Sequence, residues 1–177
     1  MELVYYVAAS LDGYIATPDG GVDWLEPFNG GDDDYGYGDF YAAVDVLLMG
    51  GNTCRQLLDF GSWPYPDKPT IAFSRQAVPV DGRPLSCESR TPAEVLHELE
   101  RQGHRRAWLV GGGRMAASCL REGLVTDVIL STMPVLLGSG IPLVESLPAI
   151  HGLTLQESRT FSNGVVQSHY RVDQLDR

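Results

Sequence analysis

Three consecutive glycines stand where an apolar strand passes into a helix. The run Ala107–Val110 is apolar, Gly111–Gly113 follow it, and the residues from Arg114 onward have helical spacing. A glycine backbone adopts dihedral angles closed to other residues and can approach a ligand closely. Because the first N–H groups of a helix have no partners within it, this turn can bind a phosphate or a diphosphate. The same residues also fit a plain tight turn between strand and helix.

A second glycine turn and a polar strand end strengthen the interpretation as a nucleotide site. A strand-like run over residues 45–49 is followed by Gly50 and by a helical pattern that Asn52 or Thr53 can cap. A third apolar strand ends in the pair Ser74–Arg75. Two glycine turns and a strand-terminal Ser-Arg pair suit a ligand that carries several phosphates.

These pieces, in this order, resemble the dihydrofolate reductase-like family, and in particular its branch related to the reductase domain of bacterial riboflavin biosynthesis. The resemblance spans nearly the whole chain, and its pieces are Ala8–Ala16, Met49–Thr53, Phe73–Arg75, Val110–Arg114 and Pro134–Leu143. It implies an α/β fold with a mixed, mainly parallel sheet flanked by helices, NADPH as cofactor and a homodimer. A Rossmann unit fits less well, because Leu130–Met133 supplies no acid about 20 residues after the glycines.

The resemblance also implies which residues contact the cofactor and the substrate. Asp12 would bind substrate or relay a proton, and Thr132 would contact the substrate ring. Each has a structural alternative, since Asp12 can be a turn residue and a threonine is common inside a strand. The residues expected to contact NADPH are Ala8, Ile15, Ala16, Gly50, Thr53, Ser74, Arg75, Val110, Gly111, Gly112, Gly113 and Arg114.

The chain departs from the family pattern at two places that concern substrate and cofactor choice, and it matches the pattern only loosely at a third. Gly51 stands where the family commonly has arginine or lysine, so a preference for NADPH relies on Arg75 with Ser74, and Arg55 is a further candidate. Ala116 stands where dihydrofolate reductases usually carry an aromatic residue. The pterin-binding acid of those enzymes comes from the helix after the first long loop, where only Asp39 is roughly placed to match.

The hydrophobic pattern predicts one domain over residues 1–177 with alternating strands and helices, and an antiparallel pair at the C-terminal end. Thr91, Pro92 and Glu94 mark a helix start with a capping box, and Asn163–Gly164 marks a hairpin. Strands are predicted at 2–9, 45–49, 69–73, 106–110, 125–133, 153–161 and 165–172, with a short one near 84–87, and helices near 36–43, 52–59, 92–102 and 113–122.

The long segment Asp12–Asp39 has little regular pattern and many glycines. Loops of this length are usually functional or disordered, so it predicts a lid over the cofactor, with a solvated surface loop as the alternative. Its acidic run Asp32–Asp34 lacks the ligand pattern of a calcium loop and predicts a solvated stretch. The aromatic residues Trp24, Tyr35, Tyr37, Phe40 and Tyr41 either wall a flat heterocycle or serve ordinary packing.

Charge and composition exclude several classes of partner. A net charge of −10 opposes binding to nucleic acid or to an anionic membrane surface, and the resemblance implies a small-molecule substrate. No apolar run reaches 18 residues, and no basic segment precedes the first apolar run, Leu3–Ala9. A cytoplasmic location is therefore expected.

Cys54, Cys87 and Cys119 are predicted to be buried free thiols. The four histidines form no ligand-spaced pair, and no metal site is expected.

Together these features predict an NADPH-dependent reductase of a small heterocycle, similar to 5-amino-6-(5-phosphoribosylamino)uracil reductase. A genuine dihydrofolate reductase is one alternative, and a non-catalytic nucleotide-binding or dimerisation protein is another. The homodimer would form through the C-terminal strands and the apolar region Leu137–Leu147, which offer a sheet edge that a monomer would have to protect.

Overall fold

The computed structural model describes residues 1–29, 31 and 33–173. These residues form ten β-strands, four α-helices and one 3₁₀ helix. The strands are β1 (Glu2–Ser10), β2 (Tyr14–Ala16), β3 (Val46–Gly50), β4 (Thr70–Phe73), β5 (Leu85–Glu88), β6 (Arg106–Gly111), β7 (Asp127–Met133), β8 (Ile141–Pro142), β9 (Leu153–Thr160) and β10 (Val166–Val172). The helices are α1 (Tyr37–Ala42), α2 (Gly51–Asp59), α3 (Pro92–Arg101) and α4 (Gly113–Arg121), and the 3₁₀ helix is Asp23–Phe28.

Eight strands make one sheet in the order β5-β4-β3-β6-β1-β7-β10-β9. The pairs from β5 through β7 are parallel, whereas β10 runs antiparallel to both β7 and β9. A turn at Gly164, with φ of 87°, joins β9 to β10 as the hairpin signal predicts. The predicted α/β fold, with a mixed, mainly parallel dihydrofolate reductase-like sheet and antiparallel C-terminal strands, is confirmed.

The sheet is covered by helices on both faces because side chains alternate along its strands. Leu3 and Tyr5 of β1 pack with the buried faces of α3 and α4 on one side. Val4 packs with Phe40 of α1 and Cys54 of α2 on the other side. A doubly covered parallel sheet of this kind leaves its strand ends as the place where a ligand can reach polar backbone.

The start of α3 follows the local signals in the sequence. The Thr91 hydroxyl accepts the Glu94 N–H at 3.3 Å, and the Glu94 carboxylate accepts the Thr91 N–H at 2.9 Å. Pro92 occupies the first helical position, where its missing N–H costs nothing. The capping box predicted there is therefore confirmed.

Three short elements were not predicted: β2, β8 and the 3₁₀ helix Asp23–Phe28. Strands β2 and β8 have three and two residues and pair antiparallel with each other, through Ala16 and Ile141. Runs this short carry no hydrophobic period of their own, so only their pairing across the fold defines them.

One expectation about individual side chains is wrong, and a second residue has a local role besides the expected one. Cys54 and Cys119 are buried, but Cys87 is exposed because it lies on the edge strand β5, of which only Leu85 is buried. In the acidic run, Asp34 is exposed yet accepts the N–H groups of Gly36 at 2.9 Å and Gly38 at 2.8 Å at the start of α1. It is thus a local capping group as well as a solvated one, and Asp32 lies outside the described residues.

The described helices are all too short or too polar to cross a lipid bilayer.

Candidate active site

A cleft of about 960 Å³ opens at the carboxyl ends of the parallel strands. The ends of β3, β4, β5 and β6 contribute to its lining, together with the first residues of α2 and α4. Because both helices begin at this edge, the N–H groups of their first turns face the same space. The two glycine turns found in the sequence therefore lie on one cleft.

The turn before α4 needs glycine for two separate reasons. Gly111 has φ of 129°, a conformation that side chains rarely adopt. A Cβ on Gly113 would overlap the carbonyl oxygen of Pro142, so the absence of a side chain lets α4 pack against β8. Gly112 differs from both, since its Cβ would point across the cleft to a position 3.4 Å from the Thr53 hydroxyl oxygen. No side chain caps α4, whose N-cap residue is Gly112.

The turn before α2 is built from Gly50 and Gly51. Gly50 is the N-cap residue and makes no side-chain cap, so the prediction that Asn52 or Thr53 caps this helix is wrong. The helix begins at Gly51, one position earlier than expected, and Thr53 lines the cleft instead. A Cβ on Gly51 would lie 2.6 Å from the Cβ of Ser74. Close packing of α2 on the end of β4 thus leaves no space for the arginine or lysine that the resemblance expects there.

Arginine side chains gather beside the ends of β4 and β5. Arg55 donates to the Ser74 hydroxyl at 3.4 Å and to Asn52 at 2.8 Å, which brings it from the second turn of α2 toward the β4 end. Arg75 lines the same part of the cleft and is exposed. This end of the cleft, called the cationic end below, also includes Arg90.

Arg90 was missed by the sequence reasoning. Its Nε donates to Glu88 at 2.9 Å, and this hydrogen-bonded pairing lowers the pKa of the Glu88 carboxyl to about 2. The cationic end therefore carries three guanidinium groups and one carboxylate that is already paired. A signal was present, because Ser89 and Arg90 follow β5 just as Ser74 and Arg75 follow β4, and parallel strands end at one edge.

The segment predicted to be a lid covers the cleft. Ile15 and Ala16 of β2 line it, and Val22 and Leu25 line it farther along. Two of its attachments to the body of the fold are the pairing of β2 with β8 and the hydrogen bond from the Gln56 side-chain amide of α2 to the carbonyl of Gly20. Apolar side chains in this position would exclude water from a ligand bound beside them.

A group of stacked aromatic rings lies under the far side of the cleft. The Tyr6 ring stacks on Phe40 with centroids 4.4 Å apart, and Trp108 meets Tyr65 edge to face at 5.3 Å. Tyr6, Tyr65 and Trp108 line the cleft. Tyr37, Phe40 and Tyr41 pack behind them, so ordinary packing describes those three better than a wall around a ligand.

Asp12 lies outside the lining of the cleft. Its carboxylate accepts the N–H groups of Leu137 at 3.1 Å and Gly138 at 2.7 Å, and the Ser10 hydroxyl at 2.6 Å. These hydrogen bonds, with that of Ser10 the largest, lower the pKa of Asp12. These contacts fit the alternative in which Asp12 is a turn residue. They also connect its turn to a second loop, which lies more than 120 residues away along the chain.

Thr132 is also absent from the lining of the cleft. It pairs with Ala9 and Val166, and the neighbouring Ser131 accepts the Gln167 side-chain amide at 3.0 Å. The same amide donates to the Tyr6 hydroxyl at 3.3 Å, which puts Ser131 on the face of the sheet that carries Tyr6. Since side chains alternate, Thr132 points to the other face.

The remaining predicted contacts come together. All of the residues expected at the cofactor line the cleft except Gly111, which is buried beneath the turn. Asp39, the loosely matched acid of α1, is exposed and does not line it. Arg114 lines the cleft and pairs with Glu145 at 3.2 Å.

The chain is similar to known proteins over nearly its whole length. The Bacillus subtilis (strain 168) protein YwjB is 32% identical over 170 residues, which cover 96% of this chain and 97% of YwjB. A crystal structure of a putative riboflavin biosynthesis protein from Shewanella sp. PV-4 is 28% identical, has a TM-score of 0.89, and is matched over 98% of this chain and 100% of that chain.

A bifunctional protein from Thermotoga maritima shares the fold. It is a diaminohydroxyphosphoribosylaminopyrimidine deaminase/5-amino-6-(5-phosphoribosylamino)uracil reductase, 14% identical with a TM-score of 0.73, and the match covers 97% of this chain but 56% of that one. The family model described as the RibD C-terminal domain matches residues 2–167 of this chain. The chain therefore belongs to the RibD C-terminal domain family.

Proposed function

We propose that the protein is an NADPH-dependent reductase of a small heterocyclic substrate. The observation that carries the proposal is the cleft itself, which is lined by two helix N-termini without side-chain caps and by the three arginines of the cationic end. Membership of the RibD C-terminal domain family supports a reductase, and the name of the Thermotoga maritima protein indicates a pyrimidine derivative as the kind of substrate.

The residues present fit a dinucleotide phosphate. The N–H groups of α2 and α4 suit the diphosphate, because helix N-termini carry partial positive charge and unpartnered donors. Arg55, Arg75 and Arg90 suit the extra 2′-phosphate, since guanidinium groups form charge-assisted hydrogen bonds with phosphate oxygens. When bound, the cofactor supplies the hydride, and the protein supplies orientation and electrostatics.

The residues of this chain then position the reacting groups and keep water away. Ala8 on β1 and Ile15 and Ala16 on the lid form an apolar surface beside the space between the two glycine turns. This surface suits one face of the nicotinamide ring. The two carboxylates in the described lining, Glu88 and Glu145, are each paired with an arginine. They therefore hold arginines in place rather than supply a free acid.

The position of Asp39 favours this reductase over a genuine dihydrofolate reductase. An acid beside the pterin would have to project from α1 into the cleft, and Asp39 is exposed outside it. The side of α1 that faces the sheet instead carries Phe40, which is 8% exposed and stacks on Tyr6.

Cofactor binding and turnover separate the candidate functions. Thermal shift with NADPH and NADH tests binding, and the absorbance of the reduced nicotinamide follows turnover of ribosylaminopyrimidines and of dihydrofolate. The proposal expects NADPH to raise Tm more than NADH, and NADPH to be consumed with a heterocycle. Turnover of dihydrofolate alone would indicate a dihydrofolate reductase, and tight NADPH binding without turnover of any compound would indicate a binding protein. Failure to bind either nucleotide would refute the proposal.

A further inference from the structure

The cleft has a second end whose lining is apolar. This apolar end is formed by Tyr6, Val22, Leu25, Leu57, Phe60 and Tyr65. Helix α2 begins at Gly51 in the glycine turn, and Phe60 follows its last residue. Phe60 is nine residues after Gly51, so at 1.5 Å per residue it lies about 13 Å along the helix from the glycine turn. One cleft therefore offers two chemically different environments.

The polar atoms near the apolar end are neutral or negative. The Tyr6 hydroxyl donates to the Tyr35 carbonyl at 3.2 Å, and burial raises the pKa of Tyr6, with a smaller contribution from the charge of Asp34. Behind the ring of Tyr41, the Asp67 carboxylate accepts the tyrosine hydroxyl at 2.7 Å. The tyrosines thus remain uncharged at neutral pH, and the nearby carboxylates repel anions.

The cations of the region are held elsewhere. Lys68 lies 5.2 Å from the centroid of the Tyr41 ring, but its ammonium group donates to the Val44 carbonyl at 2.8 Å, behind the aromatic rings. The arginines that line the cleft lie at the cationic end or on α4. Within residues 1–29, 31 and 33–173, the lining of the apolar end includes no lysine, arginine or histidine.

A phosphate bound at the apolar end would lose much of its water and gain no positive partner. Burial of an unpaired charge among apolar groups is unfavourable. A flat uncharged ring would instead bury its faces against Leu57, Phe60 and Tyr65, which is favourable in proportion to the apolar area removed from water.

We propose that the substrate of this reductase is a flat, uncharged heterocycle that carries no phosphate, bound at the apolar end with its ring against Phe60 and Tyr65. The inference rests on the proposed function and narrows it. It separates this chain from an enzyme whose substrate bears a phosphoribosyl group, because the phosphate-binding groups of the cleft lie at the two glycine turns, at the cationic end and on α4, and none belongs to the apolar end.

The test compares two probes that share one flat ring and differ by a single phosphate, riboflavin and flavin mononucleotide. Both are titrated by fluorescence anisotropy into protein saturated with NADP⁺, so that the cationic end is occupied. We expect riboflavin to bind at least about tenfold more tightly, a difference of about 1.4 kcal/mol. Equal affinities, tighter binding of the mononucleotide, or no binding of riboflavin would overturn the proposal.

A matched pair of variants locates the effect. Phe60→Arg places a guanidinium group at the mouth of the apolar end, where the Phe60 side chain is 56% exposed. Val80→Arg makes the same change of charge at an exposed apolar residue outside the cleft lining. Phe60→Arg should reduce the preference for riboflavin several-fold, and Val80→Arg should leave it unchanged. An equal effect of both variants would show that total charge, and not the apolar end, sets the preference.

The affinity for NADP⁺, measured on the same samples, distinguishes the two levels of proposal. Protein that fails to bind NADP⁺ contradicts the proposed function. Protein that binds NADP⁺ and prefers the phosphorylated probe contradicts only the inference about the substrate.

Discussion

Gly112 and Gly113 are adjacent in the glycine turn, yet the structure predicts opposite consequences for an alanine at each. Gly112 has φ of −83° and ψ of −167°, an extended conformation that alanine adopts readily. Its Cβ would lie 3.4 Å from the Thr53 hydroxyl oxygen and 3.8 Å from the Ile15 side chain, which are close but tolerable contacts. A Cβ on Gly113 would instead overlap the Pro142 carbonyl oxygen, and a backbone atom cannot turn aside as a side chain can.

The magnitudes follow from those contacts. Gly113→Ala forces α4 and β8 apart, and overpacking of this kind costs about 1–3 kcal/mol. For a chain of this length each kcal/mol lowers Tm by about 2–4 °C, so Gly113→Ala should lower Tm by about 2–12 °C. Gly112→Ala should change the free energy of unfolding by less than about 0.5 kcal/mol. It nevertheless places a methyl group between α4 and Thr53, across the space where a diphosphate would approach the helix.

Thermal shift with and without cofactor measures both effects. NADPH at 100 times its Kd adds about 2.7 kcal/mol of stability, which corresponds to an increase in Tm of about 5–11 °C for the unmodified protein. Gly112→Ala should keep the Tm of the free protein and lose most of that increase, and Gly112→Val should lose all of it. Gly113→Ala should show the reverse pattern, in which the Tm of the free protein falls. A Gly112→Ala protein that binds NADPH with unchanged affinity would refute the assignment of this turn to the cofactor.

Three further expectations concern other parts of the molecule. Arg75→Ala should reduce the preference for NADPH over NADH about tenfold, whereas substitution of Arg121, an exposed arginine outside the cleft, by alanine should leave it unchanged. Equal affinities for the two nucleotides in the unmodified protein would contradict this role of Arg75. Because the pKa of Glu88 is lowered to about 2, its pairing with Arg90 should persist at neutral pH and be lost as the pH falls through about 2. Carboxyl NMR titration of Arg90→Ala should show the pKa of Glu88 rising toward its ordinary value, and an unchanged pKa would refute the pairing. All eight residues of β9 are exposed at a sheet edge, with Leu155 54% exposed, so we propose a homodimer through this strand. Light scattering should give twice the monomer mass, and Leu155→Lys should lower the measured mass. A monomer mass for the unmodified protein would refute the dimer.

The parts of the fold that the sequence predicts are those defined by local signals. The capping box at Thr91 and Glu94 and the hairpin at Asn163–Gly164 each need only a few neighbouring residues. The two glycine turns are local in the same way, because a glycine run between an apolar strand and a helical pattern is typical of a tight strand-to-helix connection. Parallel topology then follows from the alternation of strands and helices.

The parts that the sequence does not predict depend on contacts between distant segments. Asp12 fits a turn residue or a catalytic acid equally well, and its bonds to Leu137 and Gly138 depend on a loop far along the chain. Thr132 and Ser131 differ by one position, and a shift of one residue along a strand reverses the face that a side chain occupies. Arg90 becomes part of the cationic end only because β5 lies beside β4.

The attachment of the lid has a consequence for the order in which ligands bind. The helix N-termini and the arginines of the cationic end belong to the body of the fold, whereas Val22 and Leu25 reach the apolar end from the lid. If the Gln56–Gly20 bond and the β2–β8 pairing open, the groups proposed to bind the phosphates stay in place, whereas the apolar end loses Val22 and Leu25. Steady-state kinetics should therefore be sequential and ordered, with the nucleotide as the first reactant to bind and the last product to leave.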